Sequence, residues 1–128
     1  MSTDKKISEI MLNLNEFPAL NAKSSLKIAL DQMSKFKIGI SCFVNEGKLV
    51  GILTDGDLRR LILTKQSPLP ALLVEDAINF GSKNPVSIKN NEQMEDAKKI
   101  MDEKRIWDLP VVDSNNELIG LINRHKLD

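Results

Sequence analysis

Apolar residues recur at helical spacing in two separate stretches of the chain. In each stretch they occupy positions close to i, i+3, i+4 and i+7, the stripe of an amphipathic helix. Asn91 precedes the second stripe, where its side chain makes it a predicted helix N-cap. The first stripe comprises Leu26, Ala29, Leu30 and Met33, and the second comprises Met94, Ala97 and Met101.

Each helical stripe is preceded by a short extended piece and followed by two strand-like runs that a polar turn connects. The second run ends near a glycine, after which another helix is predicted. The predicted order in each copy is therefore β-α-β-β-α. The first copy uses residues 17–20, 39–44, a turn at 45–48, a strand reaching Gly51 and a helix over 55–63; the second uses residues 85–88, 109–112, a turn at 113–116 and a strand reaching Gly120.

The two copies match in order and register, so the chain is predicted to be an internal duplication. Repeat 1 is assigned to residues 1–66 and repeat 2 to residues 67–128, because Pro68 and Pro70 interrupt the helix between them. Residues 74–78 mirror residues 7–11. One copy offers too small a core to fold alone. The predicted fold is α+β, with both repeats packed through their sheets in pseudo-two-fold symmetry.

Composition narrows the functional classes. The chain has 128 residues, with 18 Lys+Arg and 18 Asp+Glu, so it lacks the basic footprint of a nucleic-acid-binding protein. It has no apolar run of 18 residues that would span a membrane. Residues 1–6 lack the apolar core of a signal peptide, and Cys42 is the only cysteine, expected to be a buried reduced thiol. These features favour a cytoplasmic protein without membrane or nucleic-acid partners.

The stretch from Gly51 to Asp57 contains the most informative chemistry. Thr54 ends an apolar run and Asp57 falls three residues later, at the start of the next helix. This Ser/Thr-x-x-acid spacing is that of a helix capping box. The same hydroxyl and carboxylate oxygens could hold a ribose. The two interpretations are compatible, because one carboxylate oxygen can accept from the backbone while the other accepts from ribose hydroxyls.

The order of elements and the Gly-h-h-Thr-x-x-Asp end of repeat 1 resemble a CBS domain, and the whole chain resembles a tandem CBS pair, or Bateman module. Residues 51–60 and 121–125 are similar to the CBS pair at the C-terminus of bacterial arabinose-5-phosphate isomerases. Similar pairs precede sugar nucleotidyltransferase domains. The resemblance covers nearly the whole chain, but neither catalytic domain is present in it.

The resemblance implies a nucleotide site in a cleft between the repeats. Asp57 would bind the ribose diol, Thr54 would contact sugar or phosphate, and Trp107 would form an apolar wall beside the base. The alternative for Trp107 is an ordinary half-buried aromatic, and the alternative for the cations near it is that they are solvated surface charges. The full set of expected ligand-binding residues is Thr54, Asp55, Asp57, Lys83, Val86, Arg105, Trp107, Asp108, Leu109 and Pro110.

Repeat 2 departs from the family pattern at its second motif. Asn123 stands where threonine is expected, and Lys126 stands where aspartate is expected. An ammonium group has no acceptor for a ribose diol. We therefore expect one competent nucleotide site in the chain, or none. His125, the only histidine, is expected to be exposed or to cap the helix.

The leading hypothesis is a regulatory module and not an enzyme, because no motif or cluster of the sequence marks a catalytic or metal site. Its candidate ligands are AMP, ADP, ATP or a CMP-sugar, with no required cofactor. It would form a homodimer and regulate a partner or fused sugar-phosphate enzyme. Two alternatives stay open: a ligand-free dimerisation module, and a fragment of an isomerase or nucleotidyltransferase. Apolar contacts of the dimer would come from Leu58, Leu61, Ile62 and Leu63.

Overall fold

The fold is mixed α+β, as predicted. The computed structural model describes the backbone of residues 5–127 and the side chains of residues 5–125; the predictions for residues 1–4 and for the Lys126 side chain lie outside the described residues. In chain order the elements are α1 (Ile7–Ile10), β1 (Ala19–Asn21), α2 (Leu26–Phe36), β2 (Ile40–Asn45), β3 (Lys48–Thr54), α3 (Asp55–Thr64), α4 (Leu69–Leu73), a 3₁₀ turn (Ala77–Phe80), β4 (Ser82–Lys83), β5 (Ile88–Lys89), α5 (Met94–Lys104), β6 (Asp108–Val112), β7 (Leu118–Asn123) and α6 (Arg124–Leu127).

The chain forms two compact units that do not coincide with its N-terminal and C-terminal halves. The first unit is Phe17–Pro85, and the second combines the segment before residue 17 with the segment from Val86 onward. Each unit therefore carries the opening segment of the opposite sequence repeat, and these two pieces are called the exchanged segments. The repeat boundary at residues 66 and 67 stays a prediction about the sequence duplication.

The first unit contains a four-stranded sheet in the order β1-β2-β3-β4. The pair β1 and β2 is parallel, whereas β2 with β3 and β3 with β4 are antiparallel. Helix α2 begins at Ser25, whose hydroxyl accepts a hydrogen bond from the backbone N–H of Ile28 at 3.2 Å. Its apolar stripe packs into a core that comprises Leu26, Ala29, Met33, Phe43, Leu53, Leu61, Leu72 and Ala77.

The second unit contains a three-stranded sheet in the order β5-β6-β7, with β5 parallel to β6 and β6 antiparallel to β7. The segment before residue 17 joins this unit through backbone pairing between Leu12 and Leu121. Its core combines the start of the chain with the second helical stripe and the two long strands. The buried members are Ile7, Ile88, Ala97, Met101, Leu109, Val111 and Ile122.

Each unit has the predicted β-α-β-β-α order, and most element ends fall close to their predicted positions. The predicted cap of the second stripe helix is wrong, because α5 begins after Gln93 and not after Asn91. The backbone N–H of Gln93 donates to the Asp96 carboxylate at 3.0 Å, which places the helix start two residues later. Cys42 is fully buried, as expected.

Within residues 5–127, no helix is long and apolar enough to cross a membrane.

The glycines that recur in the middle of β3 and β7 make room for the exchanged segments. A Cβ atom at Gly51 would lie 2.7 Å from Cδ1 of Ile78 and 3.1 Å from the carbonyl oxygen of Ser82. A Cβ atom at Gly120 would collide with the Met11 side chain and lie 2.8 Å from the carbonyl oxygen of Leu12. The sequence repeat therefore preserves glycine where a neighbouring segment crosses the strand.

We predict that Gly120→Ala lowers the free energy of unfolding by about 1–3 kcal/mol, as overpacking of a close contact does. The Leu12 carbonyl cannot retreat easily, because it accepts a hydrogen bond from the N–H of Leu121 at 3.1 Å. Urea unfolding followed by circular dichroism measures the change.

Gly56→Ala is the matched control for this substitution. A Cβ atom at Gly56 would make only ordinary contacts, 3.7 Å from Oγ1 of Thr54 and 3.8 Å from Nη1 of Arg60. Because alanine favours the helix by about 1 kcal/mol over glycine, this variant should be neutral or more stable. Equal destabilisation by both substitutions would contradict the inference that a segment crosses the strand closely at Gly120.

Candidate functional site

Thr54 and Asp57 form a reciprocal capping box where β3 passes into α3. The backbone N–H of Thr54 donates to Oδ2 of Asp57 at 2.9 Å, and the Thr54 hydroxyl donates to the same oxygen at 3.1 Å. In return the N–H of Asp57 approaches Oγ1 of Thr54 at 3.4 Å. The predicted capping role is confirmed, and it holds the threonine hydroxyl and the carboxylate together at the strand end.

The Asp57 carboxylate is nearly buried, with 7% of the residue exposed. Its Oδ2 atom faces Thr54, whereas its Oδ1 atom accepts from the guanidinium of Arg60, one helical turn later. The Arg60 side chain itself is 66% exposed. A buried charge therefore has one side fixed by the cap and the other side covered by a solvent-facing cation.

Asp55 lies beside a groove in the same unit. Its backbone N–H donates to the Gly39 carbonyl at 3.1 Å. Its carboxylate also lies directly over Gly39, where a Cβ atom would collide with it. The groove has a volume of about 560 Å³ and is lined by Leu30, Met33, Ser34, Lys37, Ile38, Gly39, Asp55 and Leu58.

Lys83 belongs to the same unit but to a different part of its sheet. It lies in the two-residue edge strand β4, where it pairs with Gly51, and its side chain is exposed. The paired position is three residues before Thr54 along β3. The structure therefore places Lys83 beside the strand that leads to the cap, while its predicted contact with ligand stays a prediction.

The second unit has a different arrangement at the matching strand end. Asn123 lies where β7 passes into α6, and its Oδ1 atom accepts from the N–H of His125 at 3.1 Å. Its Nδ2 atom donates to Oδ1 of Asp108 at 2.7 Å. Asn123 and Asp108 are only 8% and 9% exposed. A buried amide–carboxylate pair therefore ties the start of α6 to the start of β6.

Trp107 and His125 make an aromatic contact next to this pair. Their ring centroids are 5.0 Å apart and the rings are inclined by 70°, an edge-to-face arrangement. The carbonyl of Trp107 also accepts from the N–H of Arg124 at 3.0 Å. The tryptophan is 53% exposed, which agrees with a half-buried aromatic. His125 is exposed, as predicted.

The other predicted site residues of the second unit occupy three separate environments. Val86 is 41% exposed and precedes β5. Arg105 terminates α5 in the left-handed conformation, with φ of 55°, and its side chain is exposed. Leu109 and Pro110 are buried within β6, opposite Ile122 and Leu121 of β7. Trp107 and Asp108 therefore lie beside the Asn123 cap, and the ligand contacts of this group stay predictions.

Sequence reasoning missed two features of the first unit. The contact of Arg60 with Asp57 was signalled by the i, i+3 spacing of opposite charges within one helix. The approach of Asp55 to Gly39 had no local signal, because the sheet brings these two positions together. Among residues 5–125, no group of three or more His, Cys, Asp or Glu side chains is arranged to hold a metal ion.

Two β-α-β-β-α units, each containing a capped strand-to-helix junction, define a tandem-repeat α+β fold. The CBS domain family matches residues 7–64 and 74–127. The chain therefore belongs to the CBS domain family and contains two CBS repeats, which confirms the resemblance identified in its sequence.

The curated relatives include arabinose 5-phosphate isomerases. The KdsD isomerase of Francisella tularensis is 30% identical over 122 residues, which cover 95% of this chain and 36% of the relative. The chain thus spans about a third of the length of the curated relatives it matches, and it corresponds to the part of the isomerase that contains the CBS pair.

Solved structures agree with the fold. CBSX2 of Arabidopsis thaliana, solved in complex with AMP, superimposes with a TM-score of 0.82 at 22% identity, covering 96% of this chain and 92% of that one. The CBS pair of the protein MJ0100 was solved with 5'-methylthioadenosine and S-adenosyl-L-methionine. It superimposes with a TM-score of 0.80 at 19% identity, covering 97% of this chain and 93% of that one.

We predict that Asn123→Ala lowers the free energy of unfolding by about 1–3 kcal/mol, because it removes a buried hydrogen-bond donor from Asp108 and a cap from α6. Asn91→Ala is the control, since Asn91 is exposed and lies outside the cap of α5. That variant should remain within about 0.5 kcal/mol of the parent. Thermal and urea unfolding of both variants provide the measurement, and similar losses would contradict the assignment.

Proposed function

We propose that the chain is a regulatory CBS pair that binds an adenosine-type nucleotide through the Thr54–Asp57 junction. The observation that carries this proposal is the Asp57 carboxylate, 7% exposed and held by Thr54 at the start of α3. A fixed carboxylate suits a ribose diol, because ionised carboxylates are acceptors and hydroxyls are donors. The preorganised cap reduces the ordering that binding would require.

The choice of ligand class is supported by relatives with the same fold. CBSX2 was solved with AMP, and the CBS pair of MJ0100 with two other adenosine derivatives. All of them share an adenosine group. AMP is therefore the first ligand to test here, followed by ADP, ATP and a CMP-sugar. The altered junction at Asn123 favours one competent site per chain.

The regulated activity that we propose is that of a sugar-phosphate enzyme, attached to this module or bound by it. This proposal is supported by the similarity to the KdsD isomerase, of which the chain covers only 36%. Ligand binding can regulate such an enzyme only through different affinities for two conformational states. The module itself would contribute no catalytic group.

We predict that Asp57→Ala abolishes AMP binding, because it removes the acceptor for the ribose. The loss of the cap should lower the free energy of unfolding by only about 1 kcal/mol, so the fold should survive. Isothermal titration calorimetry with AMP, accompanied by circular dichroism, is the measurement.

Asp96→Ala is the matched control for this experiment. Asp96 accepts from the Gln93 backbone at 3.0 Å and occupies the same capping position on α5 that Asp57 occupies on α3. This variant should lose similar stability and keep its AMP affinity. Unchanged affinity in Asp57→Ala would remove the site assignment, and parallel losses in both variants would show a general effect of decapping.

A second candidate function is dimerisation without a ligand. It is favoured by the exposure of two neighbouring apolar side chains on α3, Ile62 at 74% and Leu63 at 77%. A homodimer would cover them, and exposed apolar side chains of this size favour association. This homodimer is compatible with ligand sensing, so the ligand measurement decides between the two functions.

A thermal-shift panel separates the two candidates. A ligand at 100 times its dissociation constant should add about 2.7 kcal/mol to the free energy of unfolding. We expect this stabilisation with AMP in the parent chain and its absence in Asp57→Ala. If no tested nucleotide or CMP-sugar stabilises the parent, and Ile62→Asp converts a dimer to a monomer in sedimentation, the dimerisation function is the correct one.

A further inference from the structure

Arg60 covers the one side of the Asp57 carboxylate that the helix cap leaves available. Its guanidinium donates to Oδ1 of Asp57, which lies one helical turn earlier on α3. Nη1 of Arg60 would lie 3.8 Å from a Cβ atom at Gly56. The guanidinium therefore extends back along the first turn of the helix, where Gly56 has no side chain.

The hydrogen bonds of the carboxylate are divided between its two oxygens. Oδ2 accepts from the N–H and the hydroxyl of Thr54 at 2.9 Å and 3.1 Å, while Oδ1 accepts from Arg60. A carboxylate offers about four acceptor positions in all. Only one remains, on Oδ1, so a diol with two donors must displace Arg60 to be bound by both hydroxyls.

The displaced guanidinium is well suited to a second partner. The Arg60 side chain is 66% exposed, so it can turn away from Asp57 without disrupting the core. The displaced guanidinium would still lie near a ligand bound at Asp57, because both residues belong to α3. Guanidinium groups bind phosphate through paired, charge-assisted hydrogen bonds. The phosphate of a ligand would replace the carboxylate as the hydrogen-bond partner of Arg60, whereas an unphosphorylated nucleoside offers no such partner.

We propose that Arg60 is a specificity-determining residue that covers the ribose-binding carboxylate and selects phosphorylated ligands over nucleosides. The proposal rests on the proposed nucleotide-binding function and adds to it the charge of the ligand. Asp57 binds the sugar, and Arg60 exchanges the carboxylate for the phosphate when the ligand enters. Adenosine and AMP are the probes, because they share base and ribose and differ only in the phosphate.

The experiment measures the dissociation constants of AMP and adenosine for the whole chain by calorimetry. Arg60→Gln removes the charge while retaining a polar side chain of similar reach. It should bind adenosine about threefold to fivefold more tightly, because no ion pair must be displaced. It should bind AMP about tenfold more weakly, because the phosphate loses its guanidinium partner. The preference for AMP over adenosine should therefore fall about 30-fold or more.

Arg59→Gln is the matched control. Arg59 is exposed on the same helix and, among the described side chains, it forms no ion pair. The substitution changes the net charge equally, so it should leave the AMP-to-adenosine preference nearly unchanged. Arg60→Lys should retain part of the preference, because an ammonium attracts phosphate without the paired geometry.

Two results overturn the proposal while the nucleotide site stands. One is an unchanged preference for AMP over adenosine in Arg60→Gln, and the other is an equal change of that preference in Arg59→Gln. Either result counts once Asp57→Ala has been shown to abolish AMP binding. If the parent chain binds neither probe, the proposed nucleotide function fails and this inference fails with it. Circular dichroism and urea unfolding of each variant confirm that the compared proteins are folded.

Discussion

The crossing of a chain segment over a glycine is the contact on which each compact unit depends. Ile78 lies against Gly51 in the first unit, and Met11 lies against Gly120 in the second. These segments open the two sequence repeats, and each adds buried residues to a core that a single β-α-β-β-α copy leaves too small. A side chain at either glycine would hold the segment off the strand. The glycine at the same position of both repeats therefore allows the exchanged segments to pack. The two sheets that carry the strand-to-helix junctions depend on this packing.

The candidate site follows from the end of one of these strands. β3 delivers Thr54 to the start of α3, and Asp57 then caps the helix with a carboxylate that is nearly buried. Burial of a charge is costly unless hydrogen bonds compensate it, and here Thr54 and Arg60 both supply them. The observed cap and the proposed ligand contact therefore involve the same carboxylate. The cap orients the carboxylate, and the exposed arginine is the part of its environment that can change when a ligand approaches.

Sequence periodicity predicted the α+β fold, the order of elements and the capping pair, because these depend on local spacing. It predicted α2 from its stripe, and it predicted the Thr54–Asp57 box from a three-residue separation. It was wrong about the start of α5, where it predicted Asn91 as the N-cap. The structure has Gln93 there, because the Asp96 carboxylate accepts the backbone N–H of Gln93. The approach of Asp55 to Gly39 depends on sheet register, which no local pattern encodes.

The two strand-to-helix junctions differ in more than the replacement of aspartate by Lys126 in the second repeat. In the first unit Asp57 presents a carboxylate whose Oδ1 atom has an exposed arginine as its partner. In the second unit the acceptor and the cap are separate residues, and Asn123 donates its amide to Asp108 while its oxygen caps α6. Both polar ends of Asn123 are thus used inside the protein, and Trp107 packs against His125 beside them. A ligand at this junction would have to break buried hydrogen bonds, whereas a ligand at Asp57 has only to displace a solvated side chain. The two junctions therefore differ in the hydrogen bonds that a ligand would have to break, and this difference supports the proposal that the site lies in the first unit.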